Sequence, residues 1–195
     1  MSYEFQITRR VEFFETDLAG IMHFSNFFRF MEAAEHAFFR SLGFSVAHSS
    51  NRLEVCLPRV HAECDYAAPV RFEDEVRVRL LVERKGRRSL TYQFRFSRLD
   101  GSGAVEVARG RLTVASVERQ ADGGMKAVPL PEVIADKIQQ APADILADGF
   151  LPKLDSPPSR NGGSRMRTSS RGRRYGNRWT RRLIRSLSGR RSTGR

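Results

Sequence analysis

Between residues 15 and 28 the sequence reads ETDLAGIMHFSNFF: one carboxylate, Asp17, then Gly20, His23 and a run of aromatic residues. The stretch separates a β-like run from a helix-like one, so Asp17 lies about a turn ahead of a helix N-terminus. Such a terminus presents free backbone N–H groups and the positive end of the helix dipole. Those groups can hold the oxygen of a polarised carbonyl, while a facing carboxylate attacks the carbon or takes a proton from water. Gly20 lets the backbone turn tightly and come close to a ligand. The parts suit hydrolysis of an activated acyl group, with no phosphate-cradling glycine loop, no metal and no cofactor expected. The same spacing also fits a loop acid making an Asx turn, with Gly20 a plain turn residue.

The elements that must position these residues can be read from periodicity. Residues 3–14 alternate loosely and are rich in β formers, which predicts a strand. Residues 25–44 predict a helix capped by Ser25 and ended by Gly43, with Phe27, Phe28, Met31, Ala34, Phe38 and Leu42 as its apolar stripe. Strands follow at 59–70, 74–86, 88–100 and 104–118, with a turn at 100–103, and then a short helix at 130–140. A helix this apolar must be enclosed. The predicted class is α+β, an antiparallel sheet wrapped around one long central helix. A meander of long strands leaves an open sheet edge, which calls for a second copy.

Charge divides the chain. Residues 151–195 hold 14 of the 34 Lys+Arg and only one acid, Asp155, leaving 20 bases and 21 acids before them. The net charge of +12 is therefore a property of a tail and does not make the domain a nucleic-acid binder. The division expected is a globular domain over 1–145 and a basic Arg/Ser/Gly-rich tail over 146–195, too poor in apolar residues to order itself. Trp179, Leu183, Ile184 and Leu187 could share one side of a basic helix, able to make weak contact with nucleic acid or an anionic membrane. A solvated tail without a dedicated role fits equally. Cys56 and Cys64 have no partners at metal-ligand spacing and read as buried free thiols. With no apolar leader and no apolar run of about 18 residues, a cytoplasmic setting is expected.

The run D-L-A-G-I-M-H-F-S-N-F resembles the signature of the hotdog-fold acyl-CoA thioesterases of the 4-hydroxybenzoyl-CoA thioesterase and YbgC type. Asp17, Gly20, Ile21, Asn26 and Phe27 fall on it, as does the acid Glu32. Residues 57–76, with Pro69 and Asp74, resemble the family's second strand. The resemblance covers roughly residues 3 to 140. It implies a hotdog fold, an acyl-CoA substrate, Asp17 as nucleophile or general base, and the backbone N–H of Phe24 as the group that polarises the thioester carbonyl. It also implies dimers joined edge to edge, with the acyl pocket at the interface, and tetramers built from them. Where many relatives carry Tyr then His, this chain has His23 and Phe24.

Gly20 and His23 are expected to line the pocket, and His61 to lie close enough for a ligand contact. His36, inside the helix, reads as structural. Arg87 and Arg88, in the strand connection 84–89, either form a solvated hairpin turn or hold the phosphates of coenzyme A. Two other classes fit the fold. One is a non-catalytic module binding acyl-CoA or acyl carrier protein. The other is a hydratase or dehydratase, although the Asp17-to-His23 spacing of six and the missing Asn-Pro context speak against it.

Overall fold

A computed structural model of the chain describes residues 1–45, 55–101 and 103–147. The segment 46–54 and everything from 148 onward lie outside the described residues, and with them nearly all of the expected tail.

Strand β1 (Glu4–Arg10) leads through a one-turn 3-10 helix (Phe13–Glu15) and a hinge loop into α1 (Ser25–Ser41). Then come β2 (Arg59–Tyr66), β3 (Glu75–Lys85), β4 (Ser89–Asp100) and β5 (Gly103–Ala115). A small hairpin, β6 (Val117–Arg119) and β7 (Met125–Ala127), and two short helices, α2 (Glu132–Ala135) and α3 (Ala143–Ala147), complete the described chain. Five strands form one antiparallel sheet in the order β1-β3-β4-β5-β2.

The register explains how the sheet encloses the helix. Rows such as Phe5–Leu80–Phe94–Gly110–Cys64 run across all five strands on one face. Val78, Leu80, Tyr92, Phe94, Phe96 and Leu112 on that face bury against Phe27, Phe30, Met31, Ala34 and Phe38 of α1. Gly110 marks the closest approach: a Cβ there would stand 2.5 Å from the Met31 sulfur and 3.3 Å from the Glu63 carbonyl oxygen. A larger residue there would push the Met31 side chain aside and crowd the Glu63 carbonyl, so glycine suits this close approach.

Several expectations needed adjustment. The buried stripe of α1 is centred on Phe27, Phe30, Met31, Ala34 and Phe38, and Phe28 and Leu42 are only half-buried at its margin. The helix stops at Ser41, and Gly43, at φ +88°, turns the chain away. The strand expected over 3–14 ends at Arg10, and the one over 59–70 ends at Tyr66. The helix over 130–140 shrinks to α2, because Pro131 starts it and Lys85 reaches across to the carbonyls of Ala135 and Ile138 that end it. Hairpin β6–β7 and helix α3 were not foreseen. The thiols are not buried: Cys56, ahead of β2, is exposed, and Cys64, on the edge strand β2, is half-buried. No helix among the described residues is long and apolar enough to cross a membrane.

Candidate active site

The hinge is a small two-stranded ribbon. Thr16 and Met22 bridge across it, Asp17 N–H donates to Ile21 O at 2.9 Å, and His23 N–H donates to Glu15 O at 2.8 Å. Gly20, at φ +71°, closes the turn, a conformation that costs an L side chain strain. The register sets Asp17 diagonally across from His23, a relationship that spaces residues by roughly 7–8 Å.

Glu15 anchors the ribbon. Its buried carboxylate accepts from Arg9 at 3.3 Å and from the Glu12 N–H at 2.9 Å. Its carbonyl accepts both the His23 N–H and the side-chain amide of Asn26, the latter at 2.7 Å. The Arg9 guanidinium in turn lies over the Phe30 ring at 4.1 Å. Strand β1, hinge and helix are thereby fixed together. On the other side Met22 N–H donates to Val70 O, which ties the hinge to the segment leading into β3.

Asp17 is exposed, and its Oδ1 accepts the Ala19 N–H at 2.8 Å. The Asx-turn geometry is thus present, and it leaves Oδ2 without a protein partner among the described residues. Phe24 occupies the N-cap position of α1, with an exposed ring. No acceptor among the described residues takes its N–H, whereas the next backbone donors, Ser25, Asn26 and Phe27, are engaged by His23 Nδ1, His23 O and Phe24 O. The Phe24 N–H is therefore a free donor at a helix N-terminus. Ser25 does not cap the helix as expected: its hydroxyl goes to His23 Nδ1 at 2.8 Å.

The hinge is rimmed with aromatic rings. Phe24 stacks on His23 at 4.4 Å between centroids, Tyr66 meets Phe27 at 5.0 Å and sends its hydroxyl to Phe24 O, and Phe13 meets Phe72 edge-on. Burial pushes the Tyr66 hydroxyl above the usual phenol range and the Cys64 thiol beside it up to about 12.

Asp17, Gly20, His23 and Phe24 thus come together. The other sequence candidates do not join them within one chain. His61 pairs with Thr113 on the sheet face turned away from α1, and its Nε2 lies 3.2 Å from Glu63. Arg87 and Arg88 form the exposed β3–β4 turn, with Gly86 N–H donating to Ser89 O. The hinge docks near the start of β3, where Val11 N–H meets Asp74 O. The 11 residues of β3 therefore separate the two sites by roughly 34 Å.

A second polar cluster was missed by sequence reasoning. Arg59, at the start of β2, reaches Glu35 at 2.6 Å and Glu32 at 3.2 Å on α1. Burial pushes the Glu35 carboxyl up to about 7 against the pull of Arg59. Burial likewise lowers His36, and the wholly buried Tyr92 hydroxyl beside the cluster has no hydrogen-bond partner among the described residues. The i, i+3 acids were visible, but nothing local signals that Arg59 folds back onto them. No group of three or more potential metal ligands occurs among the described residues.

A model of the thioesterase superfamily matches residues 19–105. A 1,4-dihydroxy-2-naphthoyl-CoA hydrolase of Synechococcus sp. (strain CC9311) is 32% identical over 136 residues, 66% of this chain and 85% of that protein. A protein of Aquifex aeolicus, to which esterase activity is provisionally ascribed, is 40% identical over 87 residues, 44% of this chain and 66% of its own length. Among solved structures, a 4-hydroxybenzoyl-CoA thioesterase variant with one aspartate changed to asparagine, in complex with 4-hydroxybenzoyl-CoA, superposes with a TM-score of 0.63 at 17% identity, covering 71% of this chain and all of that one. That last likeness concerns the fold, a sheet wrapped around a helix.

Proposed function

The chain belongs to the thioesterase superfamily and is a thioester hydrolase of the hotdog fold, and from that premise we propose that it cleaves acyl-CoA at the hinge, with Asp17 as the reacting carboxylate. The single observation that carries this reading is the pairing of a carboxylate having one oxygen free with an unengaged N–H at the start of α1. The thioester oxygen accepts from the Phe24 N–H, so that charge developing on it is met by a donor fixed in advance. Asp17 Oδ1 is held by Ala19, leaving Oδ2 to act. It either attacks the carbonyl carbon, expelling the coenzyme A thiolate and leaving a mixed anhydride for water to open, or takes a proton from the attacking water. The Synechococcus relative and the aspartate-to-asparagine complex support an acyl-CoA substrate.

A dimer completes the site in this reading. Strand β2 is one of the two sheet edges, opposite β1, and carries exposed residues on both faces, Val60 and Tyr66 among them. Two-fold antiparallel pairing of β2 with its copy sets the Tyr66 end of one strand against the Arg59 end of the other. Arg59 pairs with Val114, close to the turn where Ser116 N–H meets Arg88 O. The partner subunit's Arg87 and Arg88 then lie on the hinge side, within reach of the nucleotide end of coenzyme A.

The test is thiol release from a panel of aromatic, short-chain and medium-chain acyl groups, each as a CoA and a carrier-protein thioester. Asp17→Ala and Asp17→Asn are expected to lose at least about 10²-fold in kcat while remaining folded. Near wild-type turnover in both would refute the assignment. Binding without turnover in the wild type would make the protein an acyl-CoA module, and hydration of enoyl-CoA without thiol release a hydratase. ¹⁸O found in the Asp17 carboxylate after a single turnover in ¹⁸O water identifies the anhydride route, because general-base catalysis never bonds Asp17 to the acyl group.

A further inference from the structure

His23 and Ser25 make a contact that the reading above does not use. The Ser25 N–H donates to His23 Nδ1 at 3.4 Å, and the Ser25 hydroxyl lies 2.8 Å from the same nitrogen. A backbone N–H can only donate, so Nδ1 must offer its lone pair. The hydroxyl, free to rotate, then donates to it as well, in a bifurcated arrangement. The ring proton is left on Nε2. Three further restraints hold the ring: His23 N–H on Glu15 O, the Phe24 ring at 4.4 Å, and the half-buried setting of the residue. Nε2 itself has no partner among the described residues. It belongs to the residue that precedes the free Phe24 N–H and that stands diagonally across the ribbon from Asp17.

We infer that Ser25 is a positioning residue that locks His23 as the neutral Nε2–H tautomer, so that the imidazole acts as a second fixed donor to the thioester oxygen. The inference rests on the hinge being the place of cleavage. The ring, pinned from below, adds a side-chain donor at position 23 to the backbone donor of Phe24. A neutral donor suits the chemistry, since it stabilises the developing oxyanion without pairing with the Asp17 carboxylate in the ground state.

The experiment has two arms on the full chain. In the first, ¹⁵N-histidine is read by long-range ¹H–¹⁵N NMR at neutral pH, and His23→Phe identifies the His23 signals among the four histidines. A pyridine-like Nδ1 and a protonated Nε2 are expected in the wild type and in Ser25→Thr, which keeps the hydroxyl, and a signal shifted towards the average in Ser25→Ala, where only the longer backbone N–H bond to Nδ1 remains. A protonated Nδ1 in the wild type, or an unchanged tautomer in Ser25→Ala, overturns the positioning role. In the second arm, His23→Phe is expected to lower kcat about 10²-fold, the loss typical of one oxyanion donor, with KM little changed. His23→Gln, whose amide N–H can stand in for Nε2–H, should recover part of that loss. Ser25→Ala should fall about tenfold through lost alignment, and Ser25→Thr should restore it. Full kcat in His23→Phe overturns the donor role. Because the NMR arm needs no turnover, failure of Asp17 as the reacting group would appear separately, as an active Asp17→Asn enzyme with His23 still locked.

Discussion

The side-chain amide of Asn26 donates to the carbonyl of Glu15 at 2.7 Å, the same oxygen that takes the His23 N–H. One acceptor therefore fixes the first turn of α1 to both strands of the hinge ribbon. Asn26 is buried, so the bond is shielded from water.

Asn26→Ala is expected to cost about 1–2 kcal/mol of stability, the range for losing a buried hydrogen bond whose acceptor keeps another donor. The larger effect should be on kcat, because a shift of about 1 Å between carboxylate and donor can cost 10²-fold. Paired denaturation and kinetic measurements check this. A stability loss with kcat intact would mean that Asn26 only holds the helix.

Glu35 gives the fold a pH signature. Its carboxyl is pushed up to about 7 by burial, from an ordinary value near 4.5. The folded state holds the proton more tightly than the unfolded chain, so this contribution is fully present below about pH 4.5. It is lost as pH rises towards 7, and is flat above that. The interval corresponds to something on the order of 3 kcal/mol. Glu35→Gln cannot ionise and should gain stability relative to the wild type between pH 5 and pH 8. Urea midpoints of both proteins at the two pH values decide it, and a constant difference would show that Arg59 keeps Glu35 charged throughout.

Much of this architecture was legible because period and face agree along the chain. Alternation at Val76, Val78, Leu80 and Val82 and at Leu90, Tyr92, Phe94 and Phe96 gave the central strands to within a residue or two, because sheet burial is a local pattern repeated every second residue. The hinge was legible from residue types: an acid, a turn glycine and a helix start. What could not be read depends on contacts distant in sequence. Ser25 had every mark of a helix cap, and only the folded ribbon shows that His23 Nδ1 competes for its hydroxyl. Arg59 lies 24 residues from Glu35, with a connection outside the described residues between them. The helix expected at 130–140 has the right composition but is cut short by Lys85, a cation from β3 that ends it from outside.

Arg87 and Arg88 distinguish an isolated chain from an assembled one. Both are exposed, and the length of β3 separates them from the hinge of their own chain. Replacing both with alanine is expected to raise KM for acyl-CoA about tenfold while sparing a pantetheine thioester, which lacks the nucleotide phosphates. Mixed dimers test the geometry. One subunit carrying Asp17→Ala and the other the two arginine changes should put both damaged features in one site and leave the other site intact if the arginines serve across the interface. Half of the sites would then show wild-type KM together with wild-type kcat. If no site behaves as wild type, the arginines act within their own chain and the edge-to-edge arrangement is wrong.

The C-terminal boundary can be set by where the sheet's outer face stops needing cover. Arg95, on the face turned away from α1, is buried and donates to the carbonyls of Ile145 at 2.6 Å and Leu146 at 3.2 Å in α3. Ala141 N–H donates to Val82 O at 2.8 Å, so the chain is held against β3 as it enters this region. Leu81, fully buried, points to the same outer face. Truncation after residue 150 keeps all of these contacts and removes all of the excess positive charge. It is expected to leave kcat and oligomeric state unchanged and to abolish any salt-sensitive binding to RNA or anionic vesicles. Truncation after residue 140 should instead cost about 3 kcal/mol or more: roughly 1.5–3 for re-exposing one leucine and a similar amount for charged hydrogen bonds withdrawn from Arg95. Arg95→Met in the 150-residue chain is the control, since it removes the charge without removing the cover and should lose less than the shorter chain. The measurements are thiol release, light scattering at two salt concentrations and urea midpoints on all four proteins. Loss of activity or of assembly in the 150-residue chain would place the edge of the domain inside the basic tail.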